Sequence, residues 1–161
     1  MNILDTDSVS DLRKRRPNPG LAAWLAAADP AALCITAITV AEISYGIALT
    51  READAGAADR LDAWFAGLLA SSLVLPLDTG PARILGEMWA CRALRHLATT
   101  PPGAGRLRTG GDLGIAAIAL HHDATVVTGN AADFAAIAVH FPALRVLDPF
   151  SGRTRAGISA P

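Results

Sequence analysis

Two carboxylates stand two residues apart at the end of a short apolar run, in Ile3-Leu4-Asp5-Thr6-Asp7-Ser8-Val9. That spacing serves a phosphate-attacking nucleophile, a metal ion or the cap of a helix. Three further acids follow at long intervals: Glu42 within "ITVAEISYGIAL", Asp112 within "GGDLGIAAIALHH", and Asp133 within "TGNAADF", where Asn130 precedes it by three residues. Taken singly, Asp5, Asp7, Asp112 and Asp133 each read equally well as N-caps, because each lies just ahead of a helical run whose first amides need acceptors. Glu42 does not. It lies on a largely apolar helix with no Lys or Arg at i±3 or i±4, and burying such a carboxylate is costly unless a cation or another partner arrives from elsewhere. Acids packed together raise one another's pKa, which a shared divalent cation relieves. All-oxygen ligation selects Mg²⁺ or Mn²⁺ over zinc, and such an ion supports attack of water on a phosphodiester.

The elements that must position these acids alternate. Strand-like apolar runs fall at residues 2–4, 33–35, 73–77, 125–128 and 144–147, and helical patterns fill the intervals at 6–13, 19–28, 37–49, 58–70, 80–97 and 111–122. Strands alternating with helices imply a parallel sheet covered on both faces, an α/β class. Ligands of such sheets bind in the crevice beyond the carboxyl ends of the strands. Asp5 directly follows the first strand, Glu42 the second, and Asn130 and Asp133 the fourth, while Asp112 opens the helix leading into that strand. Four acids from distant segments are therefore placed to converge at one edge.

With 161 residues, 52% of them hydrophobic, the chain is the size of one domain with a substantial core. The expected unit spans 1–150, with 151–161 a poorly ordered tail. The formal charge of −1 supplies no global basic field, so contact with nucleic acid must come from local clusters: Arg13, Lys14, Arg15 and Arg16 in one, Arg95, His96, Arg106 and Arg108 in the other. The second borders "TTPPGAGRLRTGG", whose Pro and Gly density suits a mobile loop. Cys34 and Cys91 lack metal-ligand spacing and read as core residues in a reducing compartment. Trp24, Trp64 and Trp89 read as core aromatics. With no basic leader and no apolar run of membrane-spanning length, a soluble cytoplasmic protein with no membrane partner is expected.

Two families share the opening motif. "LDTDSV" fits the Asp-x-Asp start of haloacid-dehalogenase-like phosphatases, but those need a downstream lysine, and the sole lysine, Lys14, follows the motif at once; "GGDLGIAA" also lacks that family's second metal acid. The order Asp5, Glu42, Asp112, Asp133 instead resembles PIN-domain ribonucleases, and among them the VapC toxins of toxin-antitoxin pairs. The resemblance rests on "ILDTDSVSDL", "ITAITVAEISYGI", "GGDLGIAAIALHHDATVVTGNAADF" and "VLDPF", and covers nearly residues 1–150. It implies a three-layer α/β/α fold with a central parallel sheet of four to five strands. It implies a Mg²⁺-dependent endoribonuclease, Mn²⁺ substituting, with Asp5, Asp112 and Asp133 as metal ligands and Glu42 as assisting acid. Thr6, Thr39 and Asn130 then match substrate-contacting or polar positions near such sites, and Arg106 and Arg108 are added as backbone contacts. Structured RNA (tRNA or rRNA), a cognate antitoxin and a homodimer are the implied partners. The alternative is a degenerate scaffold of the same family that binds RNA or protein without cutting. Asp7, where the family more often has an uncharged residue, and Gly129, where Arg is common, are departures that bear on substrate choice.

Overall fold

The computed structural model describes residues 1–99 and 110–151. Its strands are β1 (Asn2–Leu4), β2 (Leu33–Thr36), β3 (Leu73–Leu75), β4 (Thr125–Val127) and β5 (Arg145–Leu147). Its helices are α1 (Thr6–Leu12), α2 (Pro19–Ala27), α3 (Ala37–Ala53), α4 (Ala55–Ser71), α5 (Thr79–Ala90), α6 (Arg95–Ala98), α7 (Gly111–His121) and α8 (Ala131–His140). The strands form one parallel sheet in the order β3-β2-β1-β4-β5. The chain winds outward from β1 through β2 to β3, then returns to the other side of β1 for β4 and β5. That reversal makes β1 and β4 neighbours, in register from Asn2↔Thr125 to Leu4↔Val127. The crevice beyond their carboxyl ends is the switch point where open parallel sheets receive ligands.

Successive side chains of a strand face opposite ways, and the three central strands use this to fill two cores. Ile3, Cys34 and Val126 enter one, with Leu85, Leu113, Ile118 and Phe134 of α5, α7 and α8. Leu4, Ile35 and Val127 enter the other, with Val9, Leu21, Ile43, Ile47 and Phe65 of α1 to α4. The sheet is thus covered on both faces, as the three-layer expectation requires. Within the first core, α7 has eight buried residues out of eleven. A helix apolar on all sides belongs inside a core rather than over one.

Three local expectations are corrected. The segment 80–97 is not one helix: Cys91 is extended (φ −70°, ψ 109°), and a short 3₁₀ turn, Arg92–Leu94, precedes α6. The break turns Leu94 and Leu97 into the core. The third strand stops at Leu75 because Pro76 has no amide to give the ladder. Trp89 is 59% exposed on α5 rather than in the core. Among the described residues no helix is long and apolar enough to cross a membrane. The Pro- and Gly-rich segment 100–109, with Arg106 and Arg108, and the tail beyond Ser151 lie outside the described residues.

Candidate active site

Asp5 is the residue between β1 and α1. Its amide donates to the Val127 carbonyl of β4 at 3.1 Å, and its carboxylate Oδ1 accepts from the Ser8 amide at 2.7 Å. Asp5 is thus the cap of α1, which leaves a site role open to it, because a carboxylate has lone pairs for both. Ser8 Oγ donates to the Val127 carbonyl at 2.9 Å, tying the first turn of α1 to β4. Asp5 is 2% exposed. Burial pushes its carboxyl above the usual range, against hydrogen bonds from the Thr128 hydroxyl and the Ser8 amide, and the charge of Asp7 adds to the rise. Asp7 itself is exposed in the first turn of α1.

Glu42 reaches the same place from α3. Thr36, the last residue of β2, caps that helix by accepting from the Thr39 amide at 3.1 Å. The Glu42 carboxylate Oε2 accepts from Thr6 Oγ1 at 2.5 Å, joining α3 to the start of α1. Its closeness to α7 depends on two missing side chains. A Cβ at Gly111 would collide with the Glu42 carboxylate, and one at Gly114 would stand 2.8 Å from Ile38 Cγ1. Ile38 and Glu42 are one turn apart on α3, and Gly111 and Gly114 one turn apart on α7, so the two helices meet along matched faces. Gly110 precedes α7 with φ +68°, a left-handed conformation that costs glycine little.

Asp112 and Asp133 lie inside the first turns of α7 and α8, whose N-cap positions are Gly110 and Asn130. Neither is the cap that its sequence position allowed. They are joined instead by Asn130, whose Nδ2 donates to Asp112 Oδ2 at 3.3 Å and to Asp133 Oδ2 at 3.0 Å. The Asn130 amide in turn donates to Thr128 Oγ1 at 2.8 Å, at the end of β4. Asn130 and Asp133, the two candidates for a fourth position, are thus hydrogen-bonded to each other.

The Asp112 carboxyl is pushed up to about 7, by burial first and then by the charges of Asp133, Glu42, Asp5 and Asp7. The ion pairs among the described residues join Lys14 to Asp11, Arg51 to Asp59 and Asp62, and Arg145 to Asp123; none involves Asp5, Asp112 or Asp133. Among the described residues no group of three or more His, Cys, Asp or Glu side chains is gathered closely enough to hold a metal ion as it stands. The donor chemistry nevertheless fits a hard divalent cation: oxygen only, acidic, and driven toward protonation by mutual repulsion.

The structure therefore brings together Asp5, Thr6, Glu42, Asp112, Asn130 and Asp133. Thr39 is placed differently: it is fully buried, and its hydroxyl pairs with that of Thr36 at 3.1 Å inside the α3 cap, where it supports the helix of Glu42. Sequence reasoning missed Ser8 and Gly111. The glycine pair ahead of Asp112 was the available signal for the second.

A profile for the PIN domain matches residues 3–139. Plasmid stability protein StbB of Pseudomonas syringae pv. tomato is 31% identical over 151 residues, covering 93% of this chain and 99% of its own length. VapC ribonuclease Y4jK of Sinorhizobium fredii is 32% identical over 137 residues, covering 84% of this chain and 91% of its own length. The crystal structure of FitAcB from Neisseria gonorrhoeae superposes with a TM-score of 0.72 at 25% identity, over 93% of this chain and 99% of the other.

Proposed function

The chain belongs to the PIN-domain family, in its VapC branch, and from that premise we propose that it is a metal-dependent endoribonuclease, the toxin of a toxin-antitoxin pair. The observation that carries the reading is the meeting of Asp5, Glu42, Asp112 and Asp133 at the β1/β4 switch point, with Asp112 pushed up to about 7. Asp5, Asp112 and Asp133 would hold Mg²⁺ or Mn²⁺. When bound, such a cation supplies a lowered pKa for water and neutralises charge on the phosphoryl group. Asn130 keeps the Asp112 and Asp133 carboxylates turned toward each other, and Thr6 fixes the Glu42 carboxylate, which then orients the attacking water. With water as nucleophile the products carry 5′-phosphate and 3′-hydroxyl ends; 2′,3′-cyclic phosphate ends would overturn this chemistry, since they mark attack by the RNA's own 2′-hydroxyl.

The substrate in this reading is structured RNA, such as tRNA or an rRNA loop, and the protein is a cytoplasmic homodimer held inactive by a cognate antitoxin. These parts rest on family membership. The test is cleavage of a mixed structured RNA pool by purified, antitoxin-free protein, in Mg²⁺ or Mn²⁺ against EDTA, beside Asp5→Asn and Asp112→Asn. Discrete metal-dependent cuts that vanish in both variants are expected. RNA binding without cutting in either metal would put the non-catalytic scaffold in its place.

A further inference from the structure

Two helices lead from the acidic site to a second feature. α1 starts with Thr6, which holds Glu42, and ends at its C-cap Arg13; α3 carries Glu42 and, two turns later, Thr50. At ~1.5 Å per residue, the seven steps from Thr6 to Arg13 and the eight from Glu42 to Thr50 each span roughly 10–12 Å. There Arg13 and Thr50 meet Arg60, Leu61 and Trp64 of α4 around a pocket of about 430 Å³.

The charge of this pocket is not balanced from within. On the adjoining helices Asp59 and Asp62 are both engaged by Arg51, at 2.6 and 3.9 Å, and Asp54 is engaged as the cap of α4, accepting from the Ala57 amide. Arg13 and Arg60 take part in no ion pair among the described residues. Trp64 is half-buried: it packs against the second core while also lining the pocket. Two uncommitted guanidiniums, a hydroxyl and an indole complement a phosphate, a ribose and a flat base.

Building on the ribonuclease reading, we infer that this pocket is an RNA subsite for one unpaired nucleotide near the scissile phosphate, its base stacked on Trp64 and its phosphate held by Arg13 and Arg60. A nucleotide fits better than an acidic peptide for two reasons. The pocket couples cations to an aromatic wall, and it lies a couple of nucleotides of extended strand from a cluster of acids that repels phosphate. A strand drawn to those acids needs compensating cations beside them. The subsite also requires an unpaired base, so it selects loops, bulges or ends over helices.

The test uses the full chain in EDTA, which stops cleavage under that reading, with a fluorescein-labelled 12-nucleotide single-stranded RNA and, separately, a labelled acidic peptide of equal charge. Binding is read by anisotropy over a salt series. Trp64→Ala and the double variant Arg13→Ala/Arg60→Ala are each expected to weaken RNA binding ~5- to 20-fold, whereas Trp64→Phe stays within about 3-fold because a ring remains to stack. The double variant should also flatten the slope of log K against log salt by ~0.7, the share of the one phosphate that the two arginines hold. A thermal melt checks each fold, and the exposed arginines keep the test decisive if Trp64→Ala unfolds. If the wild type binds RNA and the folded variants bind it equally well, the subsite is overturned and the ribonuclease reading stands. If the wild type does not bind the labelled strand, the subsite is overturned, and the ribonuclease reading is decided separately by the cleavage test on structured RNA. If peptide affinity rather than RNA affinity depends on Trp64 and the arginines, the pocket is a protein-docking groove and the inference is overturned.

Discussion

The two ends of α1 each bury a carboxylate, and they treat it in opposite ways. Asp11, near the C-terminal end, is 4% exposed, accepts from Lys14 Nζ and from the Asn18 amide at 2.6 Å each, and its carboxyl is held below the usual range, by Lys14 first and the Asn18 amide second. Asp5, at the N-terminal end, is as buried, yet its pKa rises, and its charge helps push the Asp112 carboxyl up to about 7. Both acids accept from backbone amides. What differs is the cation: Lys14 lies three residues from Asp11, whereas no ion pair reaches Asp5, Asp112 or Asp133 among the described residues. A buried acid with its own counter-charge holds structure together. Acids drawn together without one, Asp5 buried and Asp112 and Asp133 half-buried, have the charge to accept a positive ligand.

Substitutions at the two ends can break this comparison. The largest expected effect is on cleavage: Asp5→Asn should lower it ~10³-fold or more, the several kcal/mol that a positioned cation contributes, while Asp11→Asn stays within about 3-fold. Equal losses in single-turnover RNA cleavage would erase the distinction.

The second effect is on stability, and its sign follows from the raised pKa. An acid whose folded pKa lies above its unfolded one costs stability that is absent below about pH 4 and fully developed above about 7. Asp112→Asn should therefore stabilise the metal-free protein by about 1–3 kcal/mol at pH 8, at ~1.4 kcal/mol per pKa unit discounted for remaining contact with water, and by close to nothing at pH 4. Urea unfolding in EDTA at the two pH values checks this. Adding Mg²⁺ at pH 8 should then stabilise the wild type and not the variant.

Asp11 should show the reverse trend. Asp11→Ala leaves the Asn18 amide without its acceptor, a loss of about 1–2 kcal/mol at pH 7. Because the folded pKa is depressed, the ionised acid's contribution is present above about pH 4 and lost as pH falls through the folded value. The gap between variant and wild type should narrow in unfolding curves at pH 3.

The smallest change sharpens the other end. Gly111→Ala suits a helix, and what its Cβ meets is the movable end of Glu42, so the melting temperature should shift by no more than about 2 °C. Cleavage should nevertheless fall about 10-fold as the carboxylate is displaced. Unchanged cleavage would show that the placement of Glu42 against α7 does not matter.

Much of this was legible in the chain. Five strand-like runs gave the five strands, with ends moved by one or two residues, and the lone acid on the apolar face of α3 marked Glu42 without reference to any fold. The helix expected across 80–97 misled because its apolar spacing continues through Cys91, where the backbone nonetheless leaves the helix so that Leu94 and Leu97 can reach the core. Capping was legible as a motif but not as an outcome. Asp5, Asp112 and Asp133 have similar local sequences, yet only Asp5 caps; Gly110 and Asn130 hold the N-cap positions at α7 and α8. Thr39 carried the right side chain one turn from Glu42, but depth of burial is not a local property.

The sequence by itself determined the alternation of strands and helices, the acids available for chemistry, and the counter-charge for Asp11, because each depends on neighbours within a turn or two. Tertiary structure alone decided that Asp5 and Asn130 follow adjacent strands, that Asn130 spans Asp112 and Asp133, and that Gly111 and Gly114 let α3 come close enough to bring Glu42 in. Those relations join distant segments, 119 residues apart in the neighbouring Ser8 to Val127 bond. They are set by strand order and by the packing distance between helices, to which the periodicity of any one segment carries no reference.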